Sequence, residues 1–337
     1  MISGKALFIY THKSSFIKSD IDILSEKYTI REYSIKNNSQ LILALSLIKL
    51  LLFLVFNTRN YKIIYIWFAD YHSFLPVLAG KFFKIRTILV IGGYDVCREK
   101  KYKYGSFVNS ARGFMALYSM KNASISLAVS ENIERIVKKI APDSNCKLLY
   151  NGATIFENIK SELKASAQNS GNVLCVSLVN TEQSFYIKGI DRFIDAAKIL
   201  SDTQFTLVGA NRDFIHSITT DLPVNLQIID RVDQPELVNY YSKAKVYCQF
   251  SRRESFCLAL AEAMMLNCYP VISNVGGMPE VVGDTGIIVS EYSPQSLADA
   301  ISAALSIESE SKIFSERVIS KFSYEERKQK LLQILEK

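Results

Sequence analysis

Two glutamates eight positions apart, Glu254 and Glu262, bracket a stretch whose residue types suit the binding of a sugar nucleotide. The stretch reads Ser251-Arg-Arg-Glu-Ser-Phe-Cys-Leu-Ala-Leu-Ala-Glu-Ala-Met-Met, ending at Met265, and follows the apolar run Val246 to Phe250. A strand leading into an apolar helix puts Glu254 in the connecting loop and Glu262 inside the helix. Ser255 is expected at the N-cap, where a hydroxyl accepts from a free backbone N–H. The N–H groups of Ser255, Phe256, Cys257 and Leu258 would then surround a helix start. Unpaired donors there, with the positive end of the helix dipole, form an anion site. Glu262 falls two turns further on, about 10 Å along the axis at ~1.5 Å per residue. Its neighbours Leu258, Ala259, Ala261 and Met265 predict a mostly buried helix, and a buried carboxylate needs partners. Phosphate donors with a carboxylate on either side match the shape of a sugar, a diphosphate and a ribose.

This stretch resembles the Glu-x7-Glu signature of retaining glycosyltransferases of family 4. Downstream, Pro270-Val-Ile-Ser-Asn-Val-Gly-Gly-Met-Pro-Glu-Val-Val, ending at Val282, is similar to that family's next segment. Upstream, Lys188-Gly-Ile-Asp-Arg-Phe-Ile-Asp-Ala-Ala, Phe205-Thr-Leu-Val-Gly, Val129-Ser-Glu and Tyr150-Asn-Gly extend the likeness. It runs from about Leu127 to Val289 and is faint over the first ninety residues.

The resemblance implies an α/β chain of two doubly wound, Rossmann-like parallel-sheet domains facing each other across a cleft, the GT-B architecture. A C-terminal helix would cross back to the first domain. It also implies roles. Glu254 and Lys188 would be catalytic, Glu254 on hydroxyls of the donor sugar and Lys188 neutralising the diphosphate. Glu262 would hold the ribose, Ser255 to Leu258 the phosphates, and Arg231-Val232, after a strand ending at Ile229, the base. Gly93, Tyr94 and Asp95, in a Gly-Gly-Tyr-Asp loop after a strand, would lie near the sugar.

The chain also departs from the family's pattern. Cys257 stands where glycine is usual, either narrowing the space beside the sugar or pointing into the core. Tyr94 replaces a histidine, and Asn267 a helix-ending glycine. Asn is the next best residue for a left-handed cap. Leu178 to Tyr186 lacks the family's arginine, so Arg252, Arg253 or Arg231 would have to contribute. Thr11-His-Lys-Ser-Ser replaces a glycine-rich loop, with His12 or Ser15 candidates to face the cleft.

At 337 residues, nearly half of them apolar, the chain accommodates two ordinary domains with cores of their own. The six cysteines include no C-x-x-C pair, which fits neither a zinc site nor a disulfide framework. With no signal peptide at Met1-Ile-Ser-Gly-Lys, the reading is a reduced, cytoplasmic protein. Residues 1–160 carry 23 Lys and Arg against 11 Asp and Glu, whereas residues 161–337 carry 17 against 22. A basic first half suits an acidic substrate or an anionic bilayer, or is a merely solvated surface. Nothing resembles a nucleic-acid module.

Apolar runs at Ala6–Tyr10, Ile63–Trp67, Thr87–Ile91, Ser124–Val129 and Lys147–Tyr150 predict strands in the first half. Asn172–Leu178, Gln204–Val208, Leu226–Ile229, Val246–Phe250 and Pro270–Ser273 predict strands in the second. Helical patterns separate most of them, which argues for parallel sheets covered on both faces. The expected domains are residues 1–160, 161–312 and a terminal helix over 313–337 that packs back on the first, with a polar linker at Phe156–Gly171. Gln40 to Phe56 is apolar nearly all round. At sixteen residues from Leu41, about 24 Å, it is short of the ~30 Å hydrocarbon core. Packing in the first domain, with part of one face on a membrane, is preferred to a transmembrane span. Asp20-Ile-Asp22 lies in a helical pattern and reads as a solvated face. Gly276-Gly277 read as a structural turn before Pro279, which suits a helix start.

The expected activity is retaining, hexosyltransferase-type transfer from a UDP- or GDP-linked sugar. The acceptor would be a glycan or a polyprenyl-diphosphate-linked glycan, in bacterial surface polysaccharide synthesis. No cofactor and no metal are expected. The chain would be peripheral on the inner face of the plasma membrane, held on an anionic surface by the basic, apolar segments Gln40–Arg59 and Lys81–Arg86. Two alternatives remain open: a hydrolysing sugar-nucleotide epimerase on a similar fold, and a non-catalytic partner subunit that keeps the fold.

Overall fold

The computed structural model describes residues 3–36, 39–154, 171–308 and 312–336. The expected linker lies outside the described residues except for Gly171. The chain forms two compact units, residues 1–151 with 327–337, and residues 152–326.

The first unit is built on a six-stranded sheet. Its strands are β1 (Lys5–Tyr10), β2 (Thr29–Ser34), β3 (Ile63–Trp67), β4 (Arg86–Ile91), β5 (Ile125–Ala128) and β6 (Cys146–Leu148). The order is β2-β1-β3-β4-β5-β6, with every pairing parallel. Buried on both faces, β3 is apolar at all five positions, as a central parallel strand must be. β2 has no such run. Its TIREYS sequence lies at the sheet edge with Thr29, Arg31, Glu32 and Ser34 exposed, so apolar patterning did not reveal it. Connecting the strands are α1 (Ser15–Ser25), α2 (Gln40–Asn57), α3 (Tyr71–Phe83), α4 (Ser110–Asn122) and α5 (Glu131–Ile140).

The second unit repeats the plan. β7 (Asn172–Val179), β8 (Phe205–Ala210), β9 (Leu226–Ile229), β10 (Ala244–Gln249), β11 (Tyr269–Ser273) and β12 (Ile287–Val289) form a parallel sheet in the order β12-β11-β10-β7-β8-β9. Its helices are α6 (Glu182–Ile187), α7 (Ile190–Ile199), α8 (Arg212–Ile218), α9 (Gln234–Lys243), α10 (Leu258–Met265), α11 (Met278–Val282), α12 (Pro294–Ser306) and α13 (Ile313–Phe322). One core joins Val173, Phe193, Phe205, Val246, Phe250 and Ile301. The last helix, α14 (Tyr324–Glu336), belongs to the first unit from Arg327 onward.

The structure corrects two readings. Asp20 is not on a solvated face: it is fully buried, and only Asp22 of the pair is exposed. Arg327 of α14 grips Asp20 through Nε and Nη2, both at 2.7 Å, and the Tyr65 hydroxyl and Trp67 Nε1 donate to the same carboxylate at 2.7 and 2.8 Å. An aspartate needing this many partners had no signal in a D-x-D string. Arg86 of the expected basic surface is likewise occupied, donating to the carbonyls of Ile334 and Leu335. Second, the helical stretch Gln40–Asn60 that begins with α2 is long and apolar enough to cross a membrane, yet only Leu50 and Leu54 of α2 are buried. It packs on the unit by one narrow side, not by most of its surface.

A candidate donor site at the carboxyl ends of the second sheet

In open parallel sheets, ligands bind beyond the carboxyl ends of the strands. Glu254 stands there, in the loop after β10, and Lys188 stands after neighbouring β7, between α6 and α7. Lys188 Nζ donates to Glu254 Oε2 at 2.7 Å, and Ser255 N–H donates to Glu254 Oε1 at 3.1 Å. The two residues assigned to catalysis thus form one ion pair, 66 positions apart in sequence. Glu254 is the more enclosed partner, with its side chain 11% exposed against 33% for Lys188.

Two glycines allow this loop to sit where it does. A Cβ on Gly276 (φ +62°) would lie 1.7 Å from the Glu254 carbonyl oxygen. One on Gly189 (φ +69°) would lie 1.9 Å from the Phe250 carbonyl oxygen. Only a residue without a side chain permits such an approach. The Gly276-Gly277 turn is therefore structural and also shapes the Glu254 loop.

The helix begins later than expected. Ser255 is not the N-cap: α10 starts at Leu258, and Cys257 occupies the cap with φ 71° and ψ 81°, the left-handed region. The loop takes one more left-handed turn before the helix, a turn for which glycine is the unstrained residue. The donors of the first turn are therefore those from Leu258 onward, because α-helical N–H groups there have no intrahelical acceptor. Cys257 points into the core, with its Sγ 3.8 Å from Gln249 Oε1, and burial pushes its thiol far up. The Phe256 ring is buried edge-on against Phe322 at 5.4 Å. Asn267 has φ 62° just beyond α10, the left-handed cap expected of it.

Glu262 lies in the second turn of α10, 7% exposed, and accepts from the Tyr241 hydroxyl at 3.2 Å. Burial raises its carboxyl to about 7, with the tyrosine bond pulling the other way. Arg231 and Val232 follow β9, with β7 and β8 intervening between β9 and β10. Three strand spacings of ~4.8 Å put that loop about 14 Å across the sheet from the Glu254 loop. Arg231 is exposed. Arg252 is engaged elsewhere: its guanidinium grips Asp191 at 2.6 and 2.7 Å and donates to the Tyr186 carbonyl at 2.7 Å. It therefore does not stand in for the absent arginine.

Sequence reasoning missed Gln249. Fully buried at the end of β10, its Nε2 shares two hydrogens among three acceptors, Ser251 Oγ at 2.9 Å, Ser177 Oγ at 3.3 Å and the Lys188 carbonyl at 3.4 Å. Its Oε1 accepts from the Tyr247 hydroxyl at 2.9 Å. Ser273 Oγ completes the net on the Ser251 carbonyl at 2.7 Å. This side chain ties the Lys188 and Glu254 loops to a common base, and satisfied buried networks of this kind hold their members rigidly. The one available signal was a glutamine inside an apolar strand.

Gly93, Tyr94 and Asp95 lie in the first unit. Gly93 has φ +109°, and fully buried Asp95 accepts from the N–H groups of Ala69, Gly92 and Gly93 at 3.0, 3.1 and 2.6 Å. Burial raises Asp95 to about 6 against these bonds. Its carboxylate braces the loop. The Tyr94 ring meets Tyr104 edge-on at 4.9 Å and the Arg112 guanidinium at 5.5 Å, while Arg112 pairs with Asp70. His12 and Ser15 are exposed. Among the described residues no cluster of His, Cys, Asp or Glu could hold a metal. A cavity of about 350 Å³ lined by Asn172, Thr206, Gln227 and Ala244 lies toward the opposite, amino ends of these strands, away from Glu254.

Residues 178–321 match the family model for glycosyl transferases group 1. The chain is 24% identical over 321 residues to N-acetyl-alpha-D-glucosaminyl L-malate synthase of Bacillus anthracis, covering 88% of this chain and 80% of that one. Among solved structures it is similar to sucrose-phosphate synthase from Thermosynechococcus elongatus (TM-score 0.77, 16% identity, 99% of this chain and 98% of that one). It is also similar to Anabaena Alr3699/HepE in complex with UDP and glucose (TM-score 0.76, 16% identity, 99% of both chains). The likeness to solved structures runs along the whole chain and shows the fold, and the group 1 match lies within the second unit.

Proposed function

We propose that this protein is a retaining, family 4 hexosyltransferase that takes a sugar from a UDP- or GDP-linked donor bound by the second unit. The acceptor we infer is a glycan or polyprenyl-diphosphate-linked glycan, in cytoplasmic assembly of bacterial surface polysaccharide. The observation that carries this reading is the Lys188–Glu254 pair at 2.7 Å, beside the start of α10, with Glu262 about one turn further along that helix. The Anabaena protein solved with UDP and glucose supports the donor class, and the Bacillus anthracis synthase supports glycosyl transfer.

In this reading the donor diphosphate lies on the α10 start and Lys188, and the sugar lies against Glu254. Glu262 takes the ribose hydroxyls alongside Tyr241. As the bond from the anomeric carbon to the leaving phosphate breaks, charge grows on the phosphate oxygens. Lys188 and the helix N–H groups are already placed to meet it, so little reorganisation is required. The departing phosphate takes the acceptor's proton, and no side chain serves as base. The test is nucleotide release from UDP- and GDP-sugars with and without extracted lipid-linked glycans. Acceptor-dependent release, lost in Glu254→Ala, is expected. Conversion of the donor to a free epimerised sugar would indicate the hydrolysing epimerase instead. No turnover and no nucleotide binding would indicate a partner subunit.

A further inference from the structure

We infer that the outer face of α2 is a membrane-docking surface, and that its partner is the interface of an anionic lipid bilayer. The inference stands apart from the transferase reading. On a helix with 3.6 residues per turn, Leu50 and Leu54 define the inner side, and both are buried. Phe53 stacks between Tyr33 and Tyr61 at 5.0 and 6.3 Å on the same side. The opposite side carries Leu41, Leu45, Ile48, Leu52, Val55 and Phe56, all exposed, from 49% at Leu45 to 78% at Phe56. They fall at i, i+4, i+7, i+11 and i+14/15, one stripe along the helix. Leu78 and Phe82 of neighbouring α3 continue it, Phe82 being 77% exposed. A single charge, Lys49, interrupts α2. Soluble proteins rarely expose so continuous an apolar face.

Charge decides what covers it. Between residues 33 and 130 there are 13 Lys and Arg and 3 Asp and Glu. Asp70 and Asp95 are buried and Glu99 is half-buried, whereas eleven of the basic residues, all but Arg86 and Arg112, are exposed. Among these are Lys49 on α2, Arg59 two residues beyond its end, and Lys81 and Lys84, which flank Phe82 in sequence at the end of α3. An apolar face beside exposed cations, on a segment (residues 33–130) in which no described carboxylate is exposed, suits acyl chains beneath anionic headgroups. A second copy of this chain would bring like charge against like. A span across the bilayer would leave the inner side, with Leu50, Leu54 and Phe53, stripped of its protein partners. The helix therefore lies in the plane of the interface.

The experiment uses the full chain and vesicles of phosphatidylcholine with or without phosphatidylglycerol. Wild type is expected to sediment with the anionic vesicles at low salt and to be released at high salt or by carbonate. Leu45→Ser/Ile48→Ser/Leu52→Ser should lower the partition coefficient by at least about tenfold, three exposed side chains each losing part of their transfer free energy. Lys49→Glu/Lys81→Glu/Lys84→Glu should remove the preference for anionic vesicles. In Leu52→Trp, fluorescence quenching by brominated acyl chains beyond that of buried Trp67 should report insertion. Three results would overturn the proposal. They are unchanged binding of the triple serine variant, vesicle-independent dimers that the same variant abolishes, and resistance to carbonate.

Discussion

Glu254 and Glu262 share one loop and helix but meet different surroundings, so their replacement should read differently. Glu254 is already paired with Lys188, and Glu262 has one hydroxyl partner in a buried site. In the proposed donor pose, Glu254→Ala and Glu262→Ala should each remove charge-assisted hydrogen bonds to the donor, worth roughly 1.5–3 kcal/mol. That corresponds to about 10- to 100-fold in kcat/KM, and a folded Glu254→Ala protein with wild-type turnover would remove the assignment. Glu262 also carries a pH dependence. Its folded-state carboxyl sits near 7, above the ordinary glutamate value, so the folded chain holds a proton that the unfolded chain releases. Stability from this group is then fully present below the ordinary value and declines as pH rises toward and through about 7, by at most ~1.4 kcal/mol per pH unit. Glu262→Gln should flatten that decline in melts between pH 5 and 8. Under the proposed ribose contact, it should also erase the inflection near 7 in donor affinity expected of an ionised Glu262. Cys257 offers a sign test. Its left-handed backbone costs an L-residue roughly 1–2 kcal/mol. Cys257→Gly removes more atoms than Cys257→Ala, yet it should be the more stable variant by about 1 kcal/mol in urea titration. The reverse order would mean that this backbone carries no strain.

The elements explain why some of this was legible and some was not. The alternation of apolar strands with helices survives in sequence because both faces of a parallel sheet are buried, and ten strands announced themselves this way. Two edge strands did not: β2 mixes charge with half-buried positions, and β12 has only three residues. α4, opening with Ser110-Ala-Arg-Gly, likewise shows no clean apolar stripe. At the site, the spacing of Glu254 and Glu262 was readable. The start of α10 was not, because Cys257 adopts a left-handed backbone, which nothing in a cysteine's own preference signals. Gln249 was invisible as a hub because its partners come from β7, the Lys188 loop and its own strand. The close approach at Gly276 gives an element-scale prediction. Gly276→Ala would push a methyl group into the Glu254 carbonyl and strain a positive-φ backbone, costing more than about 2 kcal/mol. Donor turnover should fall with it, while Gly171→Ala, which strains a positive-φ backbone too (φ +76°) but whose Cβ meets nothing within 4 Å, should leave turnover unchanged. Equal activity in both variants would show that the Glu254 loop need not be held where Gly276 holds it.

At the scale of the molecule, the chain leaves the first unit after Asn151 and returns to it at Arg327, so residues far apart in sequence complete one core. Arg327 is the fastening point. Besides Asp20, it donates to the carbonyls of Leu149 at 3.2 Å and Tyr150 at 2.7 Å, and it is 3% exposed. Leu331 and Leu335, one and two turns on, are buried with it. Removing one partner of a buried pair leaves a desolvated charge behind, at a cost of roughly 3–5 kcal/mol, whereas removing both charges is far milder. Arg327→Ala should therefore lower the melting transition of the first unit by about 10 °C or more. Arg327→Met/Asp20→Asn should recover most of that loss, since an asparagine oxygen can still accept from Tyr65 or Trp67. The proposed nucleotide binding by the second unit, measured below that transition, should be unchanged in both variants, because the bonds of Arg327 lie within the first unit and the Lys188–Glu254 and Tyr241–Glu262 bonds within the second. Two separated calorimetric transitions, with only one displaced by Arg327→Ala, is the expected result. A double variant as unstable as the single one would show that the return of the chain is held by apolar packing of α14 and not by its buried ion pair.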